Sequence, residues 1–124
     1  MPNLICGAWI ACEDIDEGAG PLVYHPGSHR RAAFHGFDRY PMTNLRTVAP
    51  DVAAAYQHHV DGAAEQSEPH HFLARKGDVL LWHGMLIHGG SPLTTPGLTR
   101  KSYVLHYIPT GADVADRVTG PTNW

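Results

Sequence analysis

The sequence predicts a mainly β domain, a jelly roll of the cupin-like kind carrying one short helix. Three observations lead there. Turn formers recur at short intervals, with 13 glycines and 10 prolines among 124 residues. The apolar runs between them are of strand length and bounded by glycine or proline. Heptads, internal repeats and low-complexity tracts are absent, which sets aside coiled coils and solenoids.

The elements follow in order. "LICGAWIAC" (residues 4 to 12) alternates weakly and runs into the acidic "EDIDEGAG" (residues 13 to 20), a natural turn before a second strand in "PLVYHP" (residues 21 to 26). The two read as strand, turn, strand. "APDVAAAYQHHVDGAAE" (residues 49 to 65) has Asp51 after Pro50, an alanine-rich centre and Gly62, the pattern of one surface helix with an acid in its first turn. "HHFLAR", "DVLLWHGMLIH" and "KSYVLHYIP" follow, which brings the strand candidates to at least five.

Composition narrows the function. Hydrophobic residues at 43% and charged residues at 17% describe one globular domain, and a formal net charge of -3 offers no electrostatic footprint for nucleic acid or an anionic membrane. Small molecules are the expected partners. No apolar run reaches the roughly 18 residues needed to span a bilayer, and the N-terminus has no basic segment with an apolar stretch and cleavage site, so the chain reads as soluble and cytoplasmic. Cys6 and Cys12, held roughly 20 Å apart by about 3.3 Å per strand residue, read as reduced apolar filler.

The chemistry concentrates in "GDVLLWHGMLIHGGSPLTTPGLTRKS" (residues 77 to 102). His83 and His88 are an odd number of residues apart, so on a straight strand they point to opposite faces and at most one looks into the barrel. The segment reads as a strand pair, or as one strand bent at Gly84. The long loop 89–99 then returns to Arg100, placing His88 and Arg100 across one hairpin mouth. A histidine there suits a metal. The planar fork of arginine suits a carboxylate through two parallel charge-assisted hydrogen bonds, which Lys101 could not reproduce. Together they predict an organic acid held beside a metal.

"GAWIACEDIDEGAGPLVYHPGSHR" (residues 7 to 30), "GDVLLWHGMLIHGGSP" and "TRKSYVLHY" occur in the order seen in the phytanoyl-CoA dioxygenase family of iron(II)- and 2-oxoglutarate-dependent oxygenases, which the chain resembles. The resemblance implies a double-stranded β-helix and a facial triad built from a His-x-Asp pair and a distal histidine. It also implies iron(II), 2-oxoglutarate, molecular oxygen and a small-molecule substrate. By position His88 resembles the distal metal ligand, Arg100 the arginine that grips the far carboxylate of 2-oxoglutarate, and Trp9 an aromatic lining the co-substrate pocket. A tryptophan within an apolar strand also suits a core, so both readings of Trp9 stand. Gly90 occupies a position where some members have a co-substrate-binding serine.

The resemblance puts the His-x-Asp pair on a strand preceding that of Trp9, within about ten residues upstream of Met1. The expectation is therefore a fragment, incomplete at the N-terminus. His59-Val60-Asp61 has the pattern but lies in the predicted helix and reads as coincidence; His35 and Asp38 have the wrong spacing. His25 and His29 read as parts of a structural turn, and His83 and His106 as structural or metal-neighbouring. The alternative is a non-catalytic cupin-like module holding a small organic acid at Arg100. A zinc protein lacks the paired-ligand spacing it would need.

Overall fold

A computed structural model describes residues 5–37 and 45–110. Leu4 and Asp38 lie outside these. The described residues form strands β1 (Cys6–Ala11), β2 (Leu22–Tyr24), β3 (His70–Phe72), β4 (Val79–His83), β5 (His88–Gly90) and β6 (Ser102–Tyr107), with helix α1 (Pro50–Ala64). They make two antiparallel three-stranded sheets, ordered β4-β1-β6 and β3-β2-β5. The predicted mainly β architecture with one α-helix is what the described residues adopt.

Strand alternation explains the core. In the first sheet Trp9 pairs with Leu80 and Val104, and Gly7 with Trp82 and His106, so these side chains share one face. In the second, Leu22 pairs with Phe72 and Gly90, and Tyr24 with His70 and His88. The two inner faces meet in one cluster: Trp9, Ala11, Ile15, Ala19, Leu22, Ala74 and Trp82, with Phe72, Leu80, Leu86 and Leu98 packed against it. The opposite face of the first sheet is apolar and open, with Val79 50%, Leu81 65%, Tyr103 60% and Tyr107 57% exposed.

The connections differ from the sequence reading in three places. β1 and β2 do not pair with each other: a 3-10 turn at Glu17–Ala19 carries the chain from one sheet to the other. β4 and β5 are likewise neither a pair nor one bent strand, because the chain leaves the first sheet after His83 and enters the second at His88. β5 and β6 are not a hairpin, since β5 pairs with β2 and β6 with β1. Period-2 patterns find strands but do not say which strands pair, and a jelly roll alternates between sheets.

The helix matches its prediction, with Pro50 at the first turn beside Asp51. It lies on a small aromatic cluster in which Phe34 meets Phe37, Tyr56 and His59 at ring-centroid distances of 4.8, 5.5 and 5.6 Å. No helix among the described residues is long and apolar enough to cross a membrane.

Candidate active site

His88 opens β5 on the inner face of its sheet. The "PGSH" turn sets its position. Buried Ser28 accepts a hydrogen bond on Oγ from the Ile87 N–H at 2.8 Å, and the His25 N–H donates to the Ile87 carbonyl at 2.9 Å. The residue before His88 is thus held on both of its backbone polar groups. His25 is occupied structurally as well, its Nδ1 standing 3.2 Å from both the carbonyl and the hydroxyl of Ser67.

The His88 ring has a defined polarity. Its Nδ1 lies 2.8 Å from the Leu86 carbonyl, which can only accept, so Nδ1 carries the hydrogen and Nε2 is left with its lone pair. That arrangement is common for a metal-ligating imidazole, whose other nitrogen donates to a carbonyl or carboxylate. The ring packs on the indole of Trp82, centroid to centroid 4.8 Å. Trp82 also meets His106, edge-on at 6.2 Å and 87°. Burial, followed by the charge of nearby His88, pushes the His106 imidazole below its ordinary pKa.

Arg100 reaches this region from the loop that leads into β6. A Cβ built on Gly90 would meet its guanidinium, at 2.5 Å from one Nη and 2.6 Å from the other. Position 90 is two residues from His88 on the same strand, so Arg100 lies against the surface from which His88 projects. Its Nη1 donates to the carbonyl of Gly20, a residue with φ of +69° whose left-handed backbone ends the Glu17–Ala19 turn. Arg100 as a whole residue is exposed.

Trp9 is 3% exposed and meets Phe72 edge-on at 5.8 Å, within the core that also holds Trp82. His83 pairs with Cys6 on the outer side of its sheet. It receives the Met85 N–H on Nδ1 at 3.1 Å, and its ring lies 5.5 Å from that of His29. The His59-Val60-Asp61 lookalike is spread around α1: His59 Nε2 is 3.2 Å from the Ala32 carbonyl, and Asp61 accepts from Gln57 at 2.8 Å. Among the described residues, no group of three or more His, Cys, Asp or Glu is placed to hold a metal.

Two contributors escaped the sequence reading. Trp82 is one; the alternation that turns His83 outward turns its neighbour inward, so the signal was available. The other is Glu13, read only as part of an acidic turn. Its Oε1 accepts the Thr99 hydroxyl at 2.5 Å and the Lys101 N–H at 2.8 Å, while Oε2 lies 3.3 Å from Lys101 Nζ. The bond from Thr99, then that from the Lys101 backbone, hold the Glu13 carboxyl below its ordinary pKa. Glu13 and Lys101 are 88 residues apart, and no local pattern links them.

The family described as Phytanoyl-CoA dioxygenase (PhyH) matches residues 1–102. Peroxisomal phytanoyl-CoA dioxygenase of Rattus norvegicus is 33% identical over 106 residues, 85% of this chain and 28% of that protein; the Homo sapiens protein of the same description is 29% identical over the same shares. The chain thus spans little more than a quarter of these relatives' length. Among solved structures, the non-heme alpha-ketoglutarate-dependent epimerase SnoN from nogalamycin biosynthesis superposes with a TM-score of 0.60 at 20% identity, covering 98% of this chain and 43% of SnoN. SnoN in complex with Fe3+, alpha-ketoglutarate and nogalamycin RO gives 0.54 at 19% identity, with 98% and 44% covered. At such identities the likeness is one of fold.

Proposed function

Since the chain belongs to the phytanoyl-CoA dioxygenase family, a family of dioxygenases, we propose that it carries the distal half of an iron(II)- and 2-oxoglutarate-dependent hydroxylase site. Its partners in that reading are molecular oxygen and a small-molecule substrate, in a soluble, cytoplasmic setting. The observation that carries it is the joint placement of His88 and Arg100, a histidine with a free Nε2 and an arginine fork on one surface. The fit to iron rests on the His88 tautomer: the Leu86 carbonyl takes the Nδ1 hydrogen and leaves Nε2 as a neutral nitrogen donor. A His-x-Asp pair from sequence upstream of residue 1 completes the ligand set in this reading. The 124 residues then form a single, partial oxygenase domain.

Each residue has a task. His88 holds the metal, and Ser28 and His25 keep it from turning away by fixing Ile87. Arg100 neutralises the far carboxylate of 2-oxoglutarate and sets its orientation, with the Gly20 carbonyl steadying one side of the fork. Trp9 forms the apolar wall behind the co-substrate and, with Trp82, keeps that side dry. Iron(II), when bound, supplies the chemistry that couples 2-oxoglutarate decarboxylation to hydroxylation of a substrate C–H bond.

The test is iron-dependent formation of succinate from 2-oxoglutarate, measured on a form extended upstream through a His-x-Asp strand. Turnover by that form, lost in His88→Ala, is the expected result. An extended form that binds 2-oxoglutarate but never consumes it would favour a non-catalytic acid-binding module.

A further inference from the structure

The Glu13 contacts have a property that the reading above does not use: their backbone and hydroxyl partners, Thr99 and Lys101, are the residues immediately before and after Arg100. We propose that Glu13 is a positioning residue for Arg100, a carboxylate clamp that ties the Thr99 hydroxyl before the arginine and the Lys101 backbone after it, and so aims the guanidinium at the surface beside His88. This rests on the assignment of Arg100 to the co-substrate carboxylate.

The geometry explains why a clamp is needed there. Arg100 lies just outside β6, at the end of a loop that runs from Gly90, so its own backbone is outside the regular ladder. The ladder between β1 and β6 is prolonged by one bond, from the Cys12 N–H to the Lys101 carbonyl at 2.9 Å. At the next position the chain turns away, and the Glu13 side chain takes the place of the missing backbone acceptor for the Lys101 N–H. Its Oε1 also takes the Thr99 hydroxyl, which pulls the loop end onto the same point. The Lys101 ammonium adds an exposed ion pair, which contributes little by itself.

A long side chain can hold a ligand only if its base is still, because each loose torsion lost on binding is charged against affinity. With residues 99 and 101 tied to one carboxylate, the remaining freedom of Arg100 lies in its side chain. The Gly20 carbonyl and the bare surface of Gly90 then restrict that. Glu13 touches neither metal nor co-substrate in this arrangement. Its effect passes through the backbone.

The experiment follows the Arg100 Nε–H by 15N NMR in the 124-residue chain, recording its order and its response to 2-oxoglutarate. Glu13→Ala should lower that order and weaken 2-oxoglutarate binding by roughly tenfold, the factor that about 1.4 kcal/mol represents, with the thermal midpoint nearly unmoved. Glu13→Gln retains an oxygen that can accept both hydrogen bonds and should restore most of both. Thr99→Val, which removes one of the two donors, should fall between and serves if Glu13→Ala fails to fold. Unchanged Arg100 order in Glu13→Ala and Thr99→Val overturns the proposal. If wild-type Arg100 ignores 2-oxoglutarate while Glu13→Ala still loosens it, the clamp stands and the co-substrate assignment falls.

Discussion

Arg100 lies across Gly90 so closely that a single added carbon at position 90 would stand 2.5 Å from its guanidinium. Strand β5 therefore presents a histidine and, two residues on, a bare backbone that an arginine from the loop before β6 covers. The smallness of residue 90 and the position of Arg100 are one feature.

Gly90→Ala should move the Arg100 guanidinium without unfolding the protein, because the group displaced is the far end of a flexible side chain. We expect a stability change within about 0.5 kcal/mol, the usual range for exposed positions, and weaker 2-oxoglutarate binding. Arg100→Lys should weaken that binding by about 1.5–3 kcal/mol, the worth of a hydrogen bond to a charged group. Calorimetric titration checks both, and equal affinity in wild type and Arg100→Lys would remove the arginine from the site.

His88 and His83 should separate in a metal-binding assay. His88→Ala removes the Nε2 donor on the inner face, whereas His83→Ala alters a ring on the outer side that is engaged with Met85 and His29. In the upstream-extended form, iron-dependent succinate production should vanish in the first and persist in the second. The opposite ranking would mean that the metal sits on the other side of the sheet.

Gly7→Ala should destabilise strongly for its size. A Cβ at Gly7 runs into the six-membered ring of Trp82, a rigid and buried group that cannot swing aside. Overpacking of this kind costs about 1–3 kcal/mol. Urea unfolding should show the loss, and the Trp82 shift should also disturb the packing under His88.

Much of this was legible in the sequence and some was not, for physical reasons. Strand positions and α1 follow from side-chain alternation and turn chemistry, which are local. Which strands pair is not local, and the expected hairpin between β5 and β6 fails for that reason. Arg100 lies over Gly90, two residues from His88 on the same strand, but not through the shared hairpin expected from the sequence, since β5 pairs with β2 and β6 with β1. Glu13 was invisible because its partners are at the other end of the chain.

His106 makes stability depend on pH. Burial holds its folded-state pKa below the ordinary 6.5, so the unfolded chain binds a proton more readily. Stability should be full above about pH 6.5 and should decline as the pH falls from there toward the depressed value. His106→Gln should flatten that part of a curve of thermal midpoint against pH. A midpoint that rises on acidification through this window would contradict the environment described for His106.

The contacts of Trp82 with His88 and His106 also give the molecule an optical readout. A protonated imidazole beside an indole accepts its excited-state electron and dims its emission, whereas a neutral one does so far less. Fluorescence from Trp82 should therefore fall as His106 gains a proton, and should respond when a metal takes up Nε2 of His88. Trp9, edge-on to Phe72 in the core, and Trp124 supply the rest of the emission, so the difference between wild type and Trp82→Phe isolates the part that comes from Trp82. The same pair of contacts that fills the space beneath His88 thus allows its occupancy to be followed in a cuvette, with no label attached.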